Sequence, residues 1–255
     1  MNKLDKTEQL VKDILESVNF QVNKIGESET KSPDFHVTLE DEVYIVEVKE
    51  KEDSPVDIEV MNESYDSGEL FEVSHDLETK GNITKILSNA NKQIKEVVVD
   101  ENAFRIAWIH CSGVHCSATE EQVLSTIYGI ETLWDTSDSG ISGKCYYFNH
   151  SSLYRYKESL DAVVITTKNN TIRVCLNTFS TKYEQIKNSK IVEAFSEGVL
   201  DPITEESNKH GFLADTDINR NDKDAVLSYL EDKYSTDKLI IFPMQYHAAS
   251  IFVKD

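Results

Sequence analysis

Two charged residues one position apart inside an apolar run are the first sign of chemistry in this chain: Tyr44-Ile45-Val46-Glu47-Val48-Lys49. Alternate side chains of a strand share a face, so Glu47 and Lys49 project together, with Tyr44, Val46 and Val48 on the other side. Upstream stands Ser32-Pro33-Asp34-Phe35. With strands over 34–39 and 42–50 turning at Glu40-Asp41, Asp34 falls directly opposite Glu47, their Cβ atoms about 4.5–5.5 Å apart. Facing carboxylates are unfavourable alone and make sense around a divalent cation. Hard oxygen ligands with few protein contacts suit Mg2+, which keeps several waters and is usually completed by substrate phosphate. Lys49, beside such a site, can orient or help deprotonate an attacking water. The chemistry indicated is metal-assisted hydrolysis of a phosphodiester.

A third acid comes from the first helix. Leu4, Val11, Leu15 and Val18 form an apolar stripe at helical spacing, and the missing member of that series is Glu8. A carboxylate on a core-facing stripe needs a partner, because burying it unpaired is costly. Glu16 lies about 80° away on the same wheel and is the weaker candidate.

The elements that must position these residues read as mixed α/β: a helix over about 4–18, the strand pair, a helix over 82–98 and a buried strand over 104–111. Beyond them the pattern predicts a helix over 119–128, a short strand at 145–148 and a hairpin of 162–168 with 171–178 about Asn169-Asn170. Helices near 181–195 and 222–234 and a strand at 238–242 complete the series.

On Pro33-Asp34, then Glu47-Val48-Lys49 after twelve intervening residues, with Glu8 in the preceding helix and a helix and strand following, the chain resembles the PD-(D/E)XK nuclease superfamily. That resemblance implies a restriction-endonuclease-like core, a central mixed sheet flanked by helices, with an α/β C-terminal elaboration. It implies that Asp34, Glu47 and the Val48 carbonyl hold Mg2+ or Mn2+, that Lys49 is the catalytic lysine, and that Glu8 is an auxiliary acid. The next helix often offers a polar residue to the site, here Gln93 or its neighbour Lys92. The implied activity is a metal-dependent nuclease acting on DNA more often than RNA, and cutting both strands of a duplex is commonly done by a homodimer. The alternative is a nuclease-like module that no longer cuts and serves as an acidic interaction or nucleic-acid-mimicking protein. The expected division is 1–116 for the core, carrying an acidic insertion at 52–79, and 117–255 for an α/β extension packed on it.

Charge bears on both readings. Lys and Arg total 26 against 46 Asp and Glu, a net of −20 that repels polyanions at long range. Half of that net charge lies between Glu52 and Thr79, which contain ten acids and no Lys or Arg. Lys80, Lys85, Lys92 and Lys95 follow, so the global charge hides a local basic face. The acidic stretch also carries Ile58, Met61, Leu70 and Phe71, more apolar content than a disordered tail, which points to an ordered element able to dock a basic protein or to compete with nucleic acid.

Other signals have plainer explanations. His110-Cys111 and His115-Cys116 have zinc-ligand residue types, but four ligands so close in sequence must fold back within a short loop, and a strand end with buried cysteines is the simpler reading. Asp215, Asp217, Asn219 and Asn221 imitate a calcium loop, yet Arg220 stands where Gly is required and Val226 where a bidentate Glu belongs. The cluster Tyr146, Tyr147, Phe148, Tyr154, Arg155 and Tyr156 has residue types that stack bases, although aromatics beside short strands more often fill a core. No apolar run approaches the roughly 18 residues of a membrane helix and MNKLDKTEQL has no apolar signal core, so a cytoplasmic protein without membrane association and with reduced thiols is expected.

Overall fold

The structure is a computed structural model that describes residues 4–26, 32–97, 101–137 and 142–251. Helix α1 (Lys6–Ser17) begins with a reciprocal cap. The Asp5 carboxylate accepts from the Glu8 backbone N–H, and the Glu8 carboxylate accepts from that of Asp5. Val11 and Leu15 of its stripe are fully buried. Strands β1 (Gln21–Lys24), β2 (Phe35–Leu39) and β3 (Glu42–Lys51) follow as an antiparallel meander. The β2–β3 turn sits on Glu40-Asp41, and Glu40 takes the left-handed backbone, φ 53°, that favours two-residue hairpins. Phe35 pairs with Val46 and Leu39 with Glu42, so Asp34, the residue before Phe35, comes level with Glu47 in the register expected.

The acidic stretch is structured. Helix α2 (Pro55–Ser67) is capped by Ser54 and closed by a left-handed Gly68, and it buries none of its residues. Strand β4 (Phe71–Asp76) leads into α3 (Gly81–Glu96), whose buried Ile83, Leu87, Ala90, Asn91 and Ile94 recur at helical spacing. Residue 98, the end expected for this helix, lies outside the described residues. Strand β5 (Phe104–Cys111) then pairs parallel with β3, Glu47 beside Ala107 and Lys49 beside Ile109.

Helix α4 (Cys116–Tyr128), strands β6 (Glu131–Asp135) and β7 (Ser142–Tyr146) and the single turn α5 (Ser152–Arg155) come next. Strands β8 (Ala162–Thr167) and β9 (Ile172–Leu176) form the expected hairpin, with Asn170 at φ 63°. The helix expected near 181–195 is instead two, α6 (Tyr183–Lys187) and α7 (Lys190–Ala194). Buried Ser189 separates them, its hydroxyl donating back to the Ile186 carbonyl at 2.7 Å, a local bond that competes with helix continuation. Strand β10 (Val199–Leu200), helix α8 (Pro202–Ser207), strand β11 (Gly211–Leu213), helix α9 (Lys223–Tyr234) and strands β12 (Leu239–Ile241) and β13 (Gln245–Ser250) complete the described elements.

The fold is α/β, with a central mixed sheet in the order β1-β2-β3-β5-β8-β9-β10 flanked by helices. One face packs Ala107, Ile109 and Val163 against Ile83, Leu87 and Ile94 of α3 and Val123 of α4. The other packs Tyr44, Val46 and Trp108 against Val11 and Leu15 of α1 and Ile186 and Ile191 of the split helices. A second sheet, β11-β7-β6-β12, shares a core with α9, and β13 pairs antiparallel with β4. Among the described residues no helix is long and apolar enough to cross a membrane.

Candidate active site

Strand β3 lies between β2 and β5 and is buried from Tyr44 through Val48, the near-continuous burial of an interior strand. Glu47 is the one charge within that run, and it is fully buried. Its Oε1 accepts from the Lys49 ammonium, whereas Oε2 is buried with no hydrogen-bond partner. Burial first, then the nearby charge of Asp34, push the Glu47 carboxyl up to about 8 against the pull of Lys49. Below about pH 8 the metal-free group is therefore held neutral by a proton beside Asp34, and a cation would take that proton's place at the otherwise unsatisfied oxygen.

Asp34 faces that group from the start of β2. Its Oδ2 accepts from the Val48 backbone N–H at 2.8 Å and its Oδ1 from the Lys24 ammonium at 2.7 Å. Burial alone would raise this carboxyl; the bonds from Lys24 and Val48 outweigh it and hold Asp34 below the usual aspartate value. Lys24 also donates to Glu8 Oε1 at 2.5 Å. It thus bridges two carboxylates that would otherwise repel. Burial raises the Glu8 carboxyl, and both Glu8 oxygens are engaged, one by Lys24 and the other by the cap of α1. The two ion pairs keep Lys24 charged despite a desolvation penalty that acts the other way.

From the opposite face, α3 supplies Gln93. Its Oε1 accepts from the Lys49 ammonium at 2.9 Å, and its Nε2 donates to the Ser32 carbonyl at 3.2 Å. Lys49 is thereby fixed between Glu47 and Gln93, and the segment leading to Asp34 is tied to α3.

The structure gathers Glu8, Asp34, Glu47, Val48, Lys49 and Gln93 around one end of the β2–β3 pair. Glu16 is exposed and pairs with Lys12, and Lys92 is exposed. Sequence reasoning missed Lys24 altogether, because β1 is only four residues long. The usable signal was its alternation: Phe20 and Val22 are buried on one face, and the next position of that face holds Lys24. It is the counterpart of Glu8 on its apolar stripe.

The donor set fits one hard divalent cation. Asp34 and Glu47 present carboxylate oxygens, each able to accept more than one partner, and Glu47 Oε2 has no hydrogen-bond donor of its own. Among the described residues no group of three or more His, Cys, Asp or Glu forms a metal cage. Two carboxylates completed by main-chain oxygen, water and substrate phosphate is the habit of Mg2+ and not of zinc.

The zinc-like and calcium-like sequence signals are structural here. Cys111 and Cys116 are buried free thiols, burial pushing Cys111 up to about 12. His110 is buried with its Nδ1 3.1 Å from the Thr166 hydroxyl. Asp215 accepts from Tyr229 and Lys233, and Asp222 caps α9. Comparison of the chain with family models, with curated proteins and with solved structures finds no match.

Proposed function

We propose that this chain is a metal-dependent nuclease with a restriction-endonuclease-like core, hydrolysing phosphodiester bonds of nucleic acid, DNA in preference to RNA. The observation that carries the reading is Glu47: a fully buried carboxylate with one orphaned oxygen, level with Asp34 and joined to Lys49. A purely structural strand has little reason to retain such a group, whereas a cation-holding strand requires it. Asp34, Glu47 and the Val48 carbonyl would hold Mg2+ or Mn2+, and the bound ion supplies an acidified water and charge neutralisation at the phosphate. Lys49 orients the attacking water and balances charge gathering on phosphorus. Gln93 keeps the Lys49 ammonium in place, and Glu8, through Lys24, fixes the Asp34 carboxylate.

The net charge of −20 does not forbid a polyanionic substrate, because Lys85, Lys92 and Lys95 are exposed on α3, the helix that brings Gln93 to the site. A homodimer would place two such sites on a duplex. The acidic segment, with the wholly exposed or half-buried α2, is the surface suited to a basic protein partner. One observation favours the second reading, an acidic interaction module without activity: the Glu8–Lys24–Asp34 triad is closed on itself, as structural ion networks are. The test is incubation of the purified chain with labelled single- and double-stranded DNA and RNA in Mg2+, Mn2+ or EDTA. Metal-dependent cleavage, strongest on DNA, is expected; no cleavage of any polymer, with no metal effect on the melting temperature, would favour the interaction module.

A further inference from the structure

A cavity of about 360 Å3 opens between the first turn of α3, the end of α4, the segment joining β7 to α5, and the loop before α9. Its volume falls within the roughly 300–1,000 Å3 of small-molecule sites. The lining is unusual for this chain. It includes Arg155, Arg220 and His150 with hydroxyl and amide side chains, and no Asp or Glu, in a protein that carries 46 acids. Neither arginine has an ion-pair partner among the described residues. Arg220 donates through Nη2 to the Ala214 and Thr216 carbonyls, at 2.9 and 2.6 Å, while its Nη1 is buried with no partner. An oxyanion entering the cavity would reach that unsatisfied side of the guanidinium by a small shift of the Arg220 side chain.

The same cavity holds a ring surface. Tyr154 is 39% exposed, its ring fixed edge-to-face against Phe179 at 4.9 Å and with the Lys157 ammonium 4.7 Å from its centroid, a cation that a stacking base would displace. Tyr147, also at the wall, is held in the left-handed backbone region at φ 61°, a costly conformation for an aromatic residue and one that clusters at ligand sites. We infer that this cavity binds a free nucleoside phosphate, Arg220 and Arg155 receiving the phosphate and Tyr154 the base. It is separate from the carboxylate site. Thr84 lines the cavity and Gln93 reaches Lys49, nine residues further along α3, which is about 14 Å of helix.

The test is calorimetric titration of the full chain with AMP, GMP, CMP, UMP, adenosine and inorganic phosphate, repeated on Arg155→Ala, Arg220→Lys and Glu47→Gln. At least one nucleotide is expected to bind, more tightly than adenosine or phosphate alone. Arg155→Ala and Arg220→Lys should each weaken it about tenfold or more, the strength of a lost charge-assisted bond. Glu47→Gln should leave it unchanged, which separates this site from the proposed nuclease centre. Arg155 is exposed, so its variant remains informative even where Arg220→Lys does not fold. Absence of binding at millimolar nucleotide, equal binding of adenosine or phosphate, an unchanged affinity in Arg155→Ala, or loss of binding in Glu47→Gln would each overturn the inference.

Discussion

The Lys24 ammonium stands 2.7 Å from Asp34 Oδ1 and, on its other side, 2.5 Å from Glu8 Oε1, so a residue of a four-residue edge strand sets the electrostatics of the β2–β3 site. All three side chains are largely shielded, with 14–22% of their surface exposed. Removing the lysine therefore strands two partly buried carboxylates. Lys24→Met is expected to destabilise the metal-free protein by about 2 kcal/mol or more, somewhat below the roughly 3–5 kcal/mol of fully buried pairs because these side chains keep some exposure. In thermal unfolding that is a loss of about 4–8 °C for a chain of this size. Millimolar Mg2+ should recover more of the melting temperature in Lys24→Met than it adds to the wild type, because the cation replaces a missing positive charge. An unchanged melting temperature would show that the triad contributes little.

Glu47 gives a pH signature whose sign is fixed by its environment. Its carboxyl is raised in the folded protein to about 8 from an ordinary 4.5. Between those values the unfolded chain has released the proton that the folded chain still holds, so metal-free stability falls as pH rises through this window and levels off above about 8. Glu47→Gln removes the effect. In EDTA the variant should be more stable than wild type at pH 8 by about 1–3 kcal/mol and no more stable near pH 4. Urea unfolding at the two pH values checks this; a variant less stable than wild type at both would refute it.

Cation binding should depend on the two facing carboxylates together. Mg2+ or Mn2+ at millimolar concentration is expected to raise the wild-type melting temperature by linkage, and Asp34→Asn or Glu47→Gln should each abolish the shift. A shift that persists in both variants would place the cation elsewhere.

In the proposed reaction Gln93 would act through Lys49. Gln93→Ala removes one of the two acceptors that hold the ammonium, with the Glu47 contact left in place. The expected result is about a tenfold fall in kcat with little change in KM and an undiminished metal-induced stabilisation. Loss of the metal effect in this variant would instead give Gln93 a part in cation binding.

What the sequence disclosed follows from how local each signal was. Asp34 and Glu47 could be aligned because a two-residue turn and a period of two fix hairpin register over a dozen residues. Glu8 showed itself as a charge on an apolar stripe. Gln93 depends on how α3 lies across the sheet, and only the resemblance suggested it. Lys24 escaped because four residues of alternation are too few to register. The pairing of β4 with β13 was illegible for another reason: His75 and Tyr246 sit opposite each other across most of the chain, and β13 alternates exposed with half-buried residues without an apolar face. The split between α6 and α7 turned on a single serine whose hydroxyl bonds back to the preceding turn.

The most direct test of the proposed activity is a comparison of wild type with Lys49→Ala on labelled duplex DNA in Mg2+, both proteins shown to be folded and to gain stability from the metal. Lys49 donates to Glu47 and Gln93 and is assigned to the attacking water, so its loss should leave cation binding in place while lowering cleavage by at least about a hundredfold. Cleavage by wild type that is absent in EDTA and lost in Lys49→Ala is the result expected. Equal cleavage by the two proteins, or none by a wild type that binds both the metal and the duplex, would contradict the account.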